Sequence, residues 1–305
     1  AEWIADLLRH GLLKASYVPS REQRELREIT RYRKSLTEER CREVNRLQKI
    51  LEGANIKLDS VVKDITGKSA RKLLQRIIDD DIPDSEEVSR LVHGRMRPKL
   101  DLIVASIEGI TTPLQRKLLA QIIDHIDDLN RRIGELDKMV QEYMTEYDAA
   151  IEAIDEIPGI ARRSAEVILA EIGLDMSRFP SAAHLCSWAG VCPGNYQSAG
   201  RRKHGKTTKG NKALKTILTQ CAKSARTAKN SYFSAQYQRI AARRGKNRAT
   251  LAVAHSILIA IYHILKNNAE FHDLGADYYD SFNRDRKINS YLKRLKALGW
   301  EPDAI

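Results

Sequence analysis

Ser198 lies two residues before Gly200 and is followed by Arg201, Arg202, Lys203 and His204, with Gly205 and Lys206 beyond. A serine hydroxyl attacks phosphorus only if a base takes its proton and cations hold the charge that develops. Guanidinium and ammonium groups meet the second need. The flanking Gly194 and Gly200 let a phosphate backbone approach closely. No carboxylate lies nearby in sequence, so a base or metal has to come from elsewhere. On these features alone two roles stand open for Ser198. It is a nucleophile, or it hydrogen-bonds phosphate, as serines in basic loops more commonly do.

The charge around Ser198 is one-sided. Between Met176 and Ala269 there is no Asp or Glu, and there are 17 Lys or Arg, fifteen of them between Arg201 and Arg248. The 305-residue chain carries +12 in all, so the remainder sums to −5. A basic lobe on a mildly acidic scaffold is the footprint of a nucleic-acid binder. A lipid-binding patch would place its cations on one face of an amphipathic helix, whereas here the densest run is Gly-containing loop.

Other chemistries find little support. Cys41, Cys186, Cys192 and Cys221 share no zinc spacing and read as free thiols of a reducing compartment. The acidic run Asp79–Asp84 reads as a solvated loop rather than a metal site. His255 and His263 read as packing residues, not ligands. A tyrosine recombinase needs an Arg…His-x-x-Arg…Tyr set, into which Arg201, His255 and Tyr262 do not fit. No signal peptide is visible. The 17-residue apolar stretch from Ala249 to Leu265 is short for a membrane span and fits a buried helix. Only 6% of residues are aromatic, which speaks against a β-sandwich.

The elements that must position the basic loop are helical. Ala1–Leu13 reads as a short amphipathic helix. Because the chain opens with Ala1, already in helix, a preceding segment is expected. Arg21–Leu51 forms a charged helix with an imperfect seam, since Arg33 and Arg40 fall at core spacing. Between Thr112 and Ile151, apolar residues recur at Leu119, Ile122, Ile126, Leu129, Ile133, Leu136, Val140, Tyr143 and Tyr147, in alternating steps of 3 and 4. That is a coiled-coil seam. It closes either against Arg21–Leu51 as an antiparallel hairpin or against a second chain. Ile157-Pro158-Gly159-Ile160 followed by Ala165 has the pattern of a helix-hairpin-helix, in which Gly159 allows a tight turn and the second helix offers N–H groups to phosphate. Asn211 caps a helix running to about Lys229, Tyr232–Arg243 forms another, and Gly245 separates that from a final apolar helix.

The stretch Ile157-Pro-Gly-Ile160 … Phe179 … Leu185-Cys-Ser-Trp-Ala-Gly190 … Pro193-Gly … Ser198-Ala-Gly200-Arg-Arg … Gly205-Lys-Thr-Thr-Lys-Gly210-Asn-Lys-Ala-Leu214 resembles the C-terminal domain of DEDD-type bacterial transposases, the insertion sequence 110 family and the Piv-like DNA invertases. Ala1–Leu8 resembles the helix that follows that family's last catalytic acids. The resemblance implies a mainly α chain in four parts: 1–18, a remnant helix of a RuvC-like (RNase H-like) domain; 19–153, a coiled-coil and dimerisation region; 154–275, a helical transposase domain with a helix-hairpin-helix and a basic Gly-rich loop; and 276–305, a helical tail.

It further implies that Ser198 becomes covalently joined to DNA. Gly159, Gly200, Arg201, Arg202, Lys203, Lys206, Lys209, Gly210 and Asn211 would bind DNA. The implied partners are DNA, a bridge RNA and further copies of the chain, as dimer or tetramer through the coiled coil, with no membrane. The implied setting is the bacterial cytoplasm, at the nucleoid. Mg²⁺ would be held by three Asp and one Glu that the resemblance places ahead of Ala1. Asp59, Asp64 and Asp101 have no such motif around them. Two functions follow as expectations: a transposase or site-specific recombinase using a serine–phosphate link, or a catalytically inert nucleic-acid-binding and oligomerisation module.

Overall fold

The fold is seen in a computed structural model that describes residues 2–12, 18–194, 197–198, 200–202, 207–282 and 284–299. It is mainly α-helical. The only strands among the described residues are two of two residues each. Two compact units divide the chain: Ile29–Gln141, and Ala1–Glu28 together with Glu142–Ile305.

The first helices are α1 (Glu2–Arg9) and α2 (Arg21–Gly53). There follow α3 (Leu58–Val61), α4 (Lys68–Ile78), α5 (Ser85–Leu91), α6 (Leu100–Ser106) and α7 (Pro113–Tyr143). Thr112 starts α7 with a reciprocal capping box: its Oγ1 accepts from Gln115 N–H at 3.2 Å, and Gln115 Oε1 accepts from Thr112 N–H at 2.9 Å.

In the Ile29–Gln141 unit the seam closes within the chain. Leu36 of α2 clusters with Leu129 and Ile133 of α7. Leu47 and Leu51 share a core with Leu119, Ile123 and Ile126, completed by Leu73, Leu74, Ile77, Val88 and Ile103 from the shorter helices. Low numbers on α2 meet high numbers on α7, so the two run antiparallel. Each fully buried Leu or Ile contributes roughly 1.5–3 kcal/mol of transfer free energy.

The cations at core spacing are accommodated by polar partners on α7. Buried Arg33 pairs with Asp137 at 3.1 Å, and Arg40 donates to Asn130 Oδ1 at 2.6 Å. The expected seam is too long by its last members. Tyr143 is 55% exposed and Tyr147 lies beyond α7 in a 3₁₀ turn, because the helix ends at Tyr143. The acidic run is held in place by arginines: Asp80 pairs with Arg116, Asp81 with Arg76, and Asp84 caps α5.

The other unit contains α8 (Asp148–Asp155), α9 (Arg162–Ile172), α10 (Ala182–Ala189), β1 (Gln197–Ser198), β2 (Arg201–Arg202), α11 (Lys212–Ala225), α12 (Tyr232–Arg244), α13 (Lys246–Asn267), α14 (Tyr278–Ser281) and α15 (Arg284–Ala297). By length and composition α13 could cross a membrane. It serves instead as the central helix of this unit, touching α8, α10, α11 and α12, with Ala249, Val253, Ala254, Ile257, Leu258 and Ile261 at zero exposure. His255 is half-buried, which lowers its pKa by desolvation. His263 departs from its expected packing role: it is exposed, edge-on to Tyr262. Gly245, at φ +85, separates α12 from α13 as a single-residue joint.

Candidate nucleic-acid interface

β1 and β2 pair antiparallel, Gln197 opposite Arg202 and Ser198 opposite Arg201. The connecting turn has Gly200 at φ +71, a conformation that a β-carbon disfavours. Gly200 is exposed, and a β-carbon there would meet nothing within 4 Å. Ser198 therefore sits one residue from the turn of a short hairpin, and its backbone pairs with that of the first arginine of the basic run.

Below this tip the chain is pinned at its neck. Pro193 bridges to Thr207, Thr208 N–H donates to Cys192 O at 3.4 Å, and Asn211 N–H donates to Trp188 O at 3.2 Å. Lys215 of α11 reaches back to Thr207 Oγ1. The two glycines that bound the loop touch each other. A β-carbon on Gly210 would lie 2.4 Å from Gly190 N, and one on Gly190, the left-handed C-cap of α10 at φ +73, would lie 2.9 Å from Thr208 O. Gly210 is thus required by backbone contact within the chain.

Asn211 is also committed. Its Oδ1 accepts from Leu214 N–H at 3.1 Å, capping α11, and its Nδ2 donates to Glu171 Oε2 at 2.6 Å. Lys209 and Lys212 on either side are exposed, as are Lys223, Arg226, Lys229, Arg243, Arg244, Lys246 and Arg248. Exposed cations attract a polyanion over distances up to about 8–10 Å at ordinary salt.

The Pro158-Gly159 turn joins α8 to α9. Gly159 has φ +92, and a β-carbon there would fall 2.5 Å from both Ala225 N and Cys221 O on α11. The close approach that requires this glycine is to the protein's own helix. Arg162, at the start of α9, is exposed and pairs with Asp148, which raises its pKa. Lys203 and Lys206 lie outside the described residues. For Ser198, Arg201 and Arg202 the structure fixes the backbone pairing alone.

Sequence reasoning missed Glu171, Arg27 and Trp188. Glu171 has zero exposure and faces Arg27 Nε at 3.3 Å. The Arg27 guanidinium lies 5.8 Å from the Trp188 ring centroid. The one signal in the sequence was a carboxylate in an otherwise apolar stretch, Val167 to Ile172.

Among the described residues no group of three or more His, Cys, Asp or Glu is arranged to hold a metal ion. The residues present do not fit the four-acid Mg²⁺ site that the resemblance implies.

The profile described as "Transposase IS116/IS110/IS902 family" matches residues 151–238, from α8 into α12. A second profile, for the DEDD transposase of IS110, matches residues 1–56, which hold α1 and α2. Over these two stretches the chain is similar to transposases of the IS110 family. A curated relative, an uncharacterized 43.6 kDa protein of insertion element IS110 from Streptomyces coelicolor, is 27% identical over 214 residues. That alignment covers 67% of this chain and 46% of the relative, so the chain spans about half of that protein's length. Within the IS110-type segment 151–238 lie the pinned hairpin, the cap of α11 and the Gly159 contact.

Proposed function

We propose that this chain is the DNA-handling part of a mobile-element transposase, a site-specific recombinase that works through a covalent serine–DNA link. Ser198 Oγ attacks a DNA phosphorus, a Ser198 Oγ–P bond forms, and the P–O bond to the neighbouring nucleotide breaks. The leaving oxygen carries away a proton as a hydroxyl. One phosphoester bond replaces another, so the step reverses when that hydroxyl, or one from another strand, attacks in turn. Arg201, Arg202, Lys203 and Lys206 neutralise phosphate charge, with Gly200 leaving room for the backbone. Lys209 and the start of α11 add a further contact.

The observation that carries this reading is the placement of Ser198 next to the turn of a hairpin whose neck is pinned, in a 94-residue stretch without a carboxylate. A bridge RNA and assembly into dimers or tetramers belong to the same proposal. Such assembly would run through the coiled-coil region, on faces that the α2–α7 packing leaves uncovered. Divalent metal chemistry, in this reading, belongs to acids outside this chain.

The test is trapping. The full-length protein is incubated with element RNA, Mg²⁺ and labelled junction DNA, then denatured. A protein–DNA adduct that Ser198→Ala abolishes, with DNA affinity nearly unchanged, is the expected result. DNA cleavage without an adduct would refute the serine link. Binding with neither cleavage nor adduct would leave the inert nucleic-acid-binding module as the function.

A further inference from the structure

Glu171 ends α9 with its side chain wholly buried. A carboxylate there is tolerated only with partners, and these include side chains from two distant parts of the sequence. Arg27, in the early part of α2, faces Oε2 at 3.3 Å. Arg27 also donates Nε to Ala170 O at 3.3 Å and Nη2 to Glu171 O, while Gln23 Nε2 donates to Ala170 O at 3.3 Å. The second partner is Asn211, whose Nδ2 donates to Glu171 Oε2 at 2.6 Å.

Asn211 is the residue at which the Ser198 loop re-enters the helical body. Its four polar groups are all engaged: N–H to Trp188 O, the carbonyl to Lys215 N–H, Oδ1 to the first turn of α11, and Nδ2 to Glu171. Trp188 in turn lies against the Arg27 guanidinium. Capping alone would need only Oδ1, and serine would serve as well. The amide nitrogen has one visible use, which is to tie the returning strand of the loop to Glu171.

We propose that Glu171 is a positioning residue for the Ser198 hairpin. Through Asn211 it fixes where the returning strand enters α11, and through Arg27 it references that point to α2. Its role in this proposal is exerted through those two side chains, not by contact with DNA. The proposal rests on the reading of Ser198 as the nucleophile for its effect on rate, but not for its effect on the hairpin neck. Holding a reacting atom in place matters because misplacement of about 1 Å costs on the order of 10²-fold in rate.

Two variants isolate the tie. Asn211→Ser keeps a cap oxygen and removes the amide, and Glu171→Gln removes the charge with little change in shape. The first readout is amide hydrogen exchange at Thr208 and Asn211 in the chain itself. Both variants should speed exchange at the neck by roughly tenfold or more, with the α13 core unchanged. The second readout is adduct formation by the full-length protein at saturating DNA. The rate should fall on the order of 10- to 100-fold in both, and in Glu171→Gln, which lies outside the DNA-binding set, the Kd for duplex DNA should stay within about twofold. The double variant should be no slower than the worse single one, because one tie is cut in each.

Unchanged exchange at the neck in Asn211→Ser overturns the proposal, whatever the adduct does. A parallel loss of adduct, DNA affinity and α13 protection also overturns it, since Glu171 would then be a general core residue. If the wild-type protein forms no adduct, the Ser198 reading fails and neck exchange alone decides whether Glu171 holds the hairpin.

Discussion

Gly159 and Gly200 carry the same expectation from sequence, contact with DNA, and the structure separates them by what an added methyl group would meet. In Gly159→Ala the β-carbon would sit 2.5 Å from two backbone atoms of α11, at φ +92. Left-handed backbone costs a non-glycine residue about 1–2 kcal/mol. Forcing a methyl group into a packed contact costs about 1–3 kcal/mol more, and here the obstacle is backbone, which yields least. The expected loss is therefore about 2–5 kcal/mol of the stability of the unit built on α13. In Gly200→Ala, at φ +71 with open space around it, only the first cost applies, and it falls on an exposed turn. Urea denaturation followed by tryptophan fluorescence measures both, since Trp188 lies in this unit. Gly159→Ala should lower the midpoint with an unchanged slope, while its folded fraction binds DNA as the wild type does. Gly200→Ala should cost no more than about 1–2 kcal/mol of stability and slow adduct formation. A Gly159→Ala protein of wild-type stability that has lost DNA affinity would refute the packing account and put Gly159 at the DNA.

DNA affinity should be steeply salt-dependent: with six to ten phosphate contacts the loss is roughly 10³ to 10⁵ between 50 and 200 mM salt, and a flat titration would remove the basic lobe from the interface. Thiol reactivity should sort by burial. Desolvation pushes Cys221 up to about 11 and Cys186 up to about 12, so exposed Cys41 should react with an aromatic disulfide at pH 8 in the native protein and those two only on unfolding. Hydrogen bonds from Thr66 hold Asp64 below the ordinary carboxylate range. Its contribution is complete above the unfolded value of about 3.9 and is lost as pH falls below it. Asp64→Asn should therefore flatten the acid limb of the stability curve of the Ile29–Gln141 unit, and an unaltered limb would refute that.

Where the sequence was legible, local periodicity carried the information. The seam from Leu119 to Val140 was visible because every member faces one side of one helix. It failed at Tyr143, where α7 ends, because spacing alone does not say where a helix stops. Arg33 and Arg40 looked like defects, since their partners Asp137 and Asn130 lie about a hundred residues on. The Ser198 loop was legible as glycines and cations. Its neck was not, because contact between Gly190 and Gly210 depends on how α10 and α11 pack. Asn211 was legible as a cap from its residue type and position, but its second bond depends on a carboxylate forty residues earlier. Glu171 stayed hidden for the same reason: ion pairs across a fold leave no period in the sequence.

The contact between Gly190 and Gly210 also gives the Ser198 loop boundaries of its own. With the two ends fixed against each other, what lies between is a closed ring whose length is only weakly constrained. Each doubling of a flexible loop costs only about 0.6 kcal/mol in closure entropy. A change in the length of the ring should therefore be felt at its tip and leave the helical body beneath in place. The two glycines mark where a graft of the loop would have to be cut.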